Sequence, residues 1–121
     1  QPDATPAAGP GPITTHILDT ANGCPAAEVE IQLEKWTSDG QWIPIGSGKT
    51  NKDGRCPGLH PGKLELAVFR ITFRPAAYFQ RLGQASFYPE VVVNFEIQNV
   101  DQHYHVPLLI SPYGYSTYRG S

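Results

Sequence analysis

From Ile13 to Leu18 the chain alternates, with Ile13, Thr15 and Ile17 on one side of a two-residue period and Thr14, His16 and Leu18 on the other. That period is the one a pleated strand imposes, so a short strand is predicted here with His16 on its second face. "TANGCP" follows, and its Asn-Gly and Pro predict a turn. The next run, Glu28–Trp36, sets Val29, Ile31 and Leu33 against Glu28, Glu30, Gln32 and Glu34. One wet face and one dry face are the mark of an antiparallel sheet packed on a core. "SDG" then turns the chain into "QWIPIGSGKT", and the two runs read as a hairpin.

Residues 51–63, "NKDGRCPGLHPGK", are turn chemistry throughout, with Arg55 directly after a turn glycine. Leu64–Phe73 predicts another strand. Pro75–Gly83 is the one helical stretch, because Pro suits a first turn, Ala and Leu favour helix, and Gly83 stands where a helix would end. Arg74 offers no acceptor for a cap, so that helix should be short. "EVVVNFEIQ" alternates Val91, Val93, Phe95 and Ile97 against Val92, Asn94, Glu96 and Gln98. "YHVPLLIS" sets Tyr104, Val106, Leu108 and Ile110 against His105, Pro107 and Leu109, with Pro107 in conflict because a strand proline prefers an edge or a bulge. After "SPYG", Ser116 and Tyr118 share one face and Tyr115, Thr117 and Arg119 the other. Seven or eight short strands with one helix make an all-β sandwich, and no helix–strand alternation suggests a parallel α/β sheet.

Composition narrows the picture. The chain has 121 residues, enough for one domain, and 12 Gly and 12 Pro suit a fold rich in turns. Residues 1–12, Pro, Ala and Gly with one charge, read as a flexible leader to a domain over 13–121. Nine Lys and Arg scattered among eleven Asp and Glu give no basic surface for nucleic acid, and no apolar run is long enough to span a bilayer. Cys24 and Cys56 are too sparse for a disulfide framework and read as free thiols. No CxxC or HExxH occurs, so neither a metal nor a cofactor is expected. The chain starts at Gln1 without Met, consistent with removal of upstream sequence.

The residues able to carry chemistry are His16, Arg55, His105 and, in the ending "YRGS", Tyr118, Arg119 and Ser121. Histidine exchanges protons near neutral pH, and a cation beside it can polarise a carbonyl, which together make a hydrolytic site. Spacing alone does not bring these residues together. His60 and His103 read as ordinary hydrogen-bonded or surface histidines.

"THILDTANGCPA", "GKTNKDGRCPGL", "SFYPEVVVNFEI" and "HYHVPLLISPYGYSTYRGS", in this order and spacing, resemble the transthyretin-like family, and within it the 5-hydroxyisourate hydrolases of urate breakdown. The resemblance covers Ile13 to Ser121. It implies His16, Arg55 and His105 as the catalytic set, each differing from the residue the hormone carriers hold there, with Tyr118, Ser116, Arg119 and Ser121 contacting substrate. It also implies two four-stranded sheets per subunit and a homotetramer built as a dimer of dimers around a central channel. The implied reaction is metal-independent ring opening of 5-hydroxyisourate, in which either His16 or His105 activates water. A carrier of thyroid-hormone-like aromatic ligands on the same fold is the competing reading, and a secreted interaction module a third. The pathway favours cytoplasm or peroxisome, while a trimmed Gln1 is equally compatible with a periplasmic or secreted chain.

Overall fold

The computed structural model describes residues 11–120. The expected leader, apart from Gly11 and Pro12, and Ser121 with its expected substrate contact lie outside the described residues. Within them the chain forms eight strands and one helix, in the order β1 (Ile13–Asp19), β2 (Cys24–Pro25), β3 (Glu30–Trp36), β4 (Trp42–Lys49), β5 (Val68–Arg74), α1 (Ala76–Arg81), β6 (Val91–Glu96), β7 (Tyr104–Ser111) and β8 (Gly114–Thr117). They build two four-stranded sheets, β2-β1-β7-β8 and β4-β3-β5-β6. This is the sandwich that the alternating runs predict.

Between the sheets lie the inward halves of those alternations. Ile13, Ile17, Leu33, Phe69, Ile71, Phe73 and Leu108 are fully buried, each contributing roughly 1.5–3 kcal/mol by leaving water. The helix closes one end. Tyr78 and Phe79 turn inward from it, and the Tyr78 hydroxyl donates to Asp19 Oδ2 at 2.7 Å. Asp19 is itself buried and accepts from the backbone N–H groups of Ala21 and Asn22 at 3.0 Å. Burial pushes its pKa up, but these hydrogen bonds outweigh burial and hold it below the ordinary carboxylate range. One carboxylate therefore secures the end of β1, the following turn and the helix together.

Four details depart from the sequence reading. Cys24 and Pro25 pair with β1 instead of only turning; both cysteines are free thiols, as expected. β5 begins at Val68, four residues later than expected, because its neighbours run out: β3 pairs only as far as Phe69, and β6 only as far as Val68. The helix is capped by Pro75 rather than Arg74, with no side-chain cap bond. Finally, Pro107 lies on an interior strand, between β1 and β8. The conflict is resolved across the sheet. β8 pairing stops at Leu108↔Thr117 and resumes in the same register at His105↔Gly120, so the missing donor of Pro107 falls opposite a gap.

Candidate active site

The site begins with an uncommon pairing in this fold, the parallel ladder of β1 and β7. Its register sets Thr14 beside His105 and His16 beside Pro107. Strand pleating turns Ile13, Thr15 and Ile17 into the core, so Thr14, His16, His105 and Pro107 share the outward face. Ser116 joins that face through its pairing with Leu109. Residues some ninety positions apart thereby become neighbours.

Arg55 arrives on a loop. Asn51 Oδ1 accepts from the backbone N–H groups of Asp53 and Arg55 at 2.9 and 3.1 Å, closing a tight turn whose Gly54 takes a φ of 77°. Only glycine is at ease there. It also has no side chain to block docking, since a Cβ would stand 2.5 Å from the Ile17 carbonyl oxygen and 3.3 Å from His16 Cδ2. The Ile17 N–H instead donates to the Gly54 carbonyl at 2.8 Å, and Arg55 bridges to His16 along the edge of β1.

A cavity of about 310 Å³ opens beside this junction, lined by Thr14, Thr15, Arg55, Cys56, His103 and His105 among others. Its volume is that of a small-ligand site. His105 Nδ1 lies 2.8 Å from Thr14 Oγ1, and His103 Nε2 lies 3.1 Å from the same hydroxyl. Burial pushes the His105 pKa below its ordinary value, the charges of Arg55, His103 and His16 push it the same way, and a hydrogen bond to the Thr14 backbone opposes them. An imidazole so placed stays neutral near pH 7 and is able to take a proton. Cys56 is buried, and burial raises its thiol pKa, so it is no ready nucleophile. Among the described residues no cluster of three or more His, Cys, Asp or Glu side chains is arranged to hold a metal ion.

The ending is divided between two roles. The Gly120 N–H donates to the His105 carbonyl at 2.8 Å, and a Cβ on Gly120 would stand 2.5 Å from His105 Cδ2. Gly120 thus forms a wall against the imidazole. Tyr118 and Arg119 line a second cavity, of about 420 Å³, which reaches the edge strands β6 and β8 and shares His105 with the first. The Arg119 guanidinium stacks on the Tyr104 ring at 4.4 Å and donates to Gln102 Oε1 at 3.2 Å. Within one chain, then, Arg119 is committed elsewhere, and Ser116 lies on the right face without lining the cavity.

Two histidines differ from their sequence reading. His103 lines the cavity. His60 is buried with its ring edge-on to Phe69, and its Nδ1 has no partner among the described residues. Sequence reasoning passed over Thr14 altogether, although the alternation of β1 already set it on the face of His16.

A two-sheet sandwich with a polar cavity of imidazole, hydroxyl and guanidinium on the outward face of the β2-β1-β7-β8 sheet defines a transthyretin-like protein with a reactive face. Residues 13–120 match the model of the HIUase/Transthyretin family, and the chain belongs to that family. The 5-hydroxyisourate hydrolase of Mus musculus is 45% identical over 112 residues, covering 91% of this chain and 95% of the mouse protein. Among solved structures, the transthyretin of Sparus aurata superposes with a TM-score of 0.85 at 31% identity, covering 90% of this chain and 96% of that one. The 5-hydroxyisourate hydrolase of Klebsiella pneumoniae gives 0.79 at 33% identity, covering 90% and 97%.

Proposed function

We propose that the chain hydrolyses 5-hydroxyisourate to 2-oxo-4-hydroxy-4-carboxy-5-ureidoimidazoline. The observation that carries this reading is the meeting of His105, Thr14 and Arg55 at one cavity beside His16, in a chain whose relatives in mouse and Klebsiella bear that activity in their names. His105 is the general base: neutral near pH 7 and anchored through Nδ1, it leaves Nε2 to take a proton from water. Water attacks the C6 carbonyl, and Arg55 stabilises the charge that builds on its oxygen. As the N1–C6 bond breaks, His16 supplies a proton to the departing nitrogen. A carrier of apolar aromatic ligands would not favour such a lining, because desolvating these polar groups without partners is costly.

The reading includes assembly as a dimer of dimers. β6 and β8 are sheet edges bordering the second cavity, and pairing them with a second copy would satisfy their outward backbone groups. Two such dimers meeting through the outward face of β1 and β7 would enclose the histidine cavities and bring Tyr118 and Ser116 of neighbouring chains toward them.

The test is the decay of freshly generated hydroxyisourate, followed by absorbance. The native protein should accelerate it over the spontaneous rate, and His105→Asn should lower kcat by about 10²-fold or more, with the same mass by light scattering. A native protein that leaves the decay unchanged defeats the reading, and a fully active His105→Asn removes that residue from it.

A further inference from the structure

The hydroxyl of Thr14 is held between two imidazoles, 2.8 Å from His105 Nδ1 and 3.1 Å from His103 Nε2. A hydroxyl has one hydrogen. If it donates to one ring, it must accept from the other, which gives two linked arrangements; with two lone pairs it can also accept from both rings, an arrangement that leaves His105 Nε2 free but gives His103 no part in fixing the tautomer. In the first linked arrangement, His105 Nδ1–H donates to Thr14 and Thr14 donates to His103 Nε2, which leaves His105 Nε2 with a lone pair. In the second, His103 Nε2–H donates to Thr14 and Thr14 donates to His105 Nδ1, so His105 Nε2 carries the hydrogen. The first arrangement makes His105 a base, and the second makes it a donor.

We propose that Thr14 and His103 are positioning residues which, by joining their hydrogen bonds in the first arrangement, hold His105 in the tautomer whose Nε2 is free to accept a proton. This rests on the reading of His105 as general base. Neither residue need touch the substrate's reacting atoms. Thr14 is nearly buried and fixed by the β1·β7 register, whereas His103 is exposed at the mouth of the cavity. The geometry comes from the sheet itself: His103 and His105 are two residues apart and turn to the same side, facing a hydroxyl on the parallel neighbour.

The variants are Thr14→Val, which keeps the shape and removes the hydroxyl, Thr14→Ser, which restores it, and His103→Phe, which removes the outer acceptor. Nitrogen-15 chemical shifts of the His105 ring in the substrate-free protein read the tautomer directly. The native protein should show a hydrogen on Nδ1. Thr14→Val should lose that preference and lower kcat at least tenfold with KM within about twofold, His103→Phe should do the same to a smaller degree, and Thr14→Ser should recover both readouts. A native His105 carrying its hydrogen on Nε2, or a Thr14→Val protein with unaltered kcat, overturns the proposal. Loss of kcat without a change of tautomer overturns it too. The nitrogen shifts require no substrate, so they decide the positioning role even if the protein fails to act on hydroxyisourate.

Discussion

Replacing Gly120 by Ala adds one methyl group in the worst place the ending offers. Its Cβ would stand 2.5 Å from His105 Cδ2, 3.2 Å from His105 Cγ and 3.3 Å from Pro107 Cγ. Carbon atoms rest about 3.5–4.0 Å apart, so the overlap with the ring edge is about 1 Å. The strand can yield by giving up the Gly120 N–H bond to the His105 carbonyl, or the ring can turn away. Turning costs about 0.5–1.5 kcal/mol for a 30° departure from a rotamer, which is less than the 1–3 kcal/mol typical of overpacking, so the ring should move. A 1 Å displacement takes Nδ1 from 2.8 Å to beyond hydrogen-bond reach of Thr14. Misplacement on that scale costs about 10²-fold in rate. The assay pairs hydroxyisourate decay with thermal unfolding. Gly120→Ala should lower kcat about 10²-fold while Tm falls by only a few degrees, since 1 kcal/mol is about 4–8 °C for a domain of this order. Activity within twofold of native, with Tm unchanged, would refute the wall.

Arg55→Gln should lower kcat by about 10²–10³-fold by removing a donor to the developing oxyanion. It should also move the acid limb of kcat/KM to higher pH, because the guanidinium is among the charges that depress the His105 pKa; an unmoved limb would disconnect the two residues. For His60, burial pushes the pKa down, with Lys35 acting the same way and a backbone hydrogen bond and Glu65 opposing. The unfolded chain therefore binds its proton more readily, and stability should decline as pH falls below about 6.5. His60→Leu should reduce the drop in Tm between pH 7.5 and pH 5, and an equal drop in both proteins would assign acid sensitivity to other groups such as His105.

The strands were legible because one face of each is wet. Val29, Ile31 and Leu33 against Glu30, Gln32 and Glu34 give both strand and orientation, and burial follows that pattern. Strand ends were less legible, since β5 starts where its partners do and not where its own apolar run begins. The meeting of His16, Arg55 and His105 could not be derived from periodicity, which is silent on whether β1 lies beside β7; the family resemblance supplied it. For His103 and Thr14 the local signal was present. His103 and His105 flank inward Tyr104, and Thr14 precedes His16 by one strand period, so both belong to the reactive face once the two strands are set side by side. Arg119 shows the opposite limit, as stacking on Tyr104 is a tertiary choice that a tail sequence does not declare.

The parallel ladder has a bearing on how the protein is made. β1 leaves the ribosome with one hydrogen-bonding edge for β2 and the other waiting for β7, some ninety residues later. At about 5–20 residues per second that wait lasts on the order of five to twenty seconds, during which a β-branched strand with an open edge is exposed to other nascent chains. Closing so distant a contact is slow in itself. Substitutions that weaken β7, such as at buried Val106 or Leu108, should therefore reduce the yield of soluble protein more than they reduce the stability of the molecules that do fold.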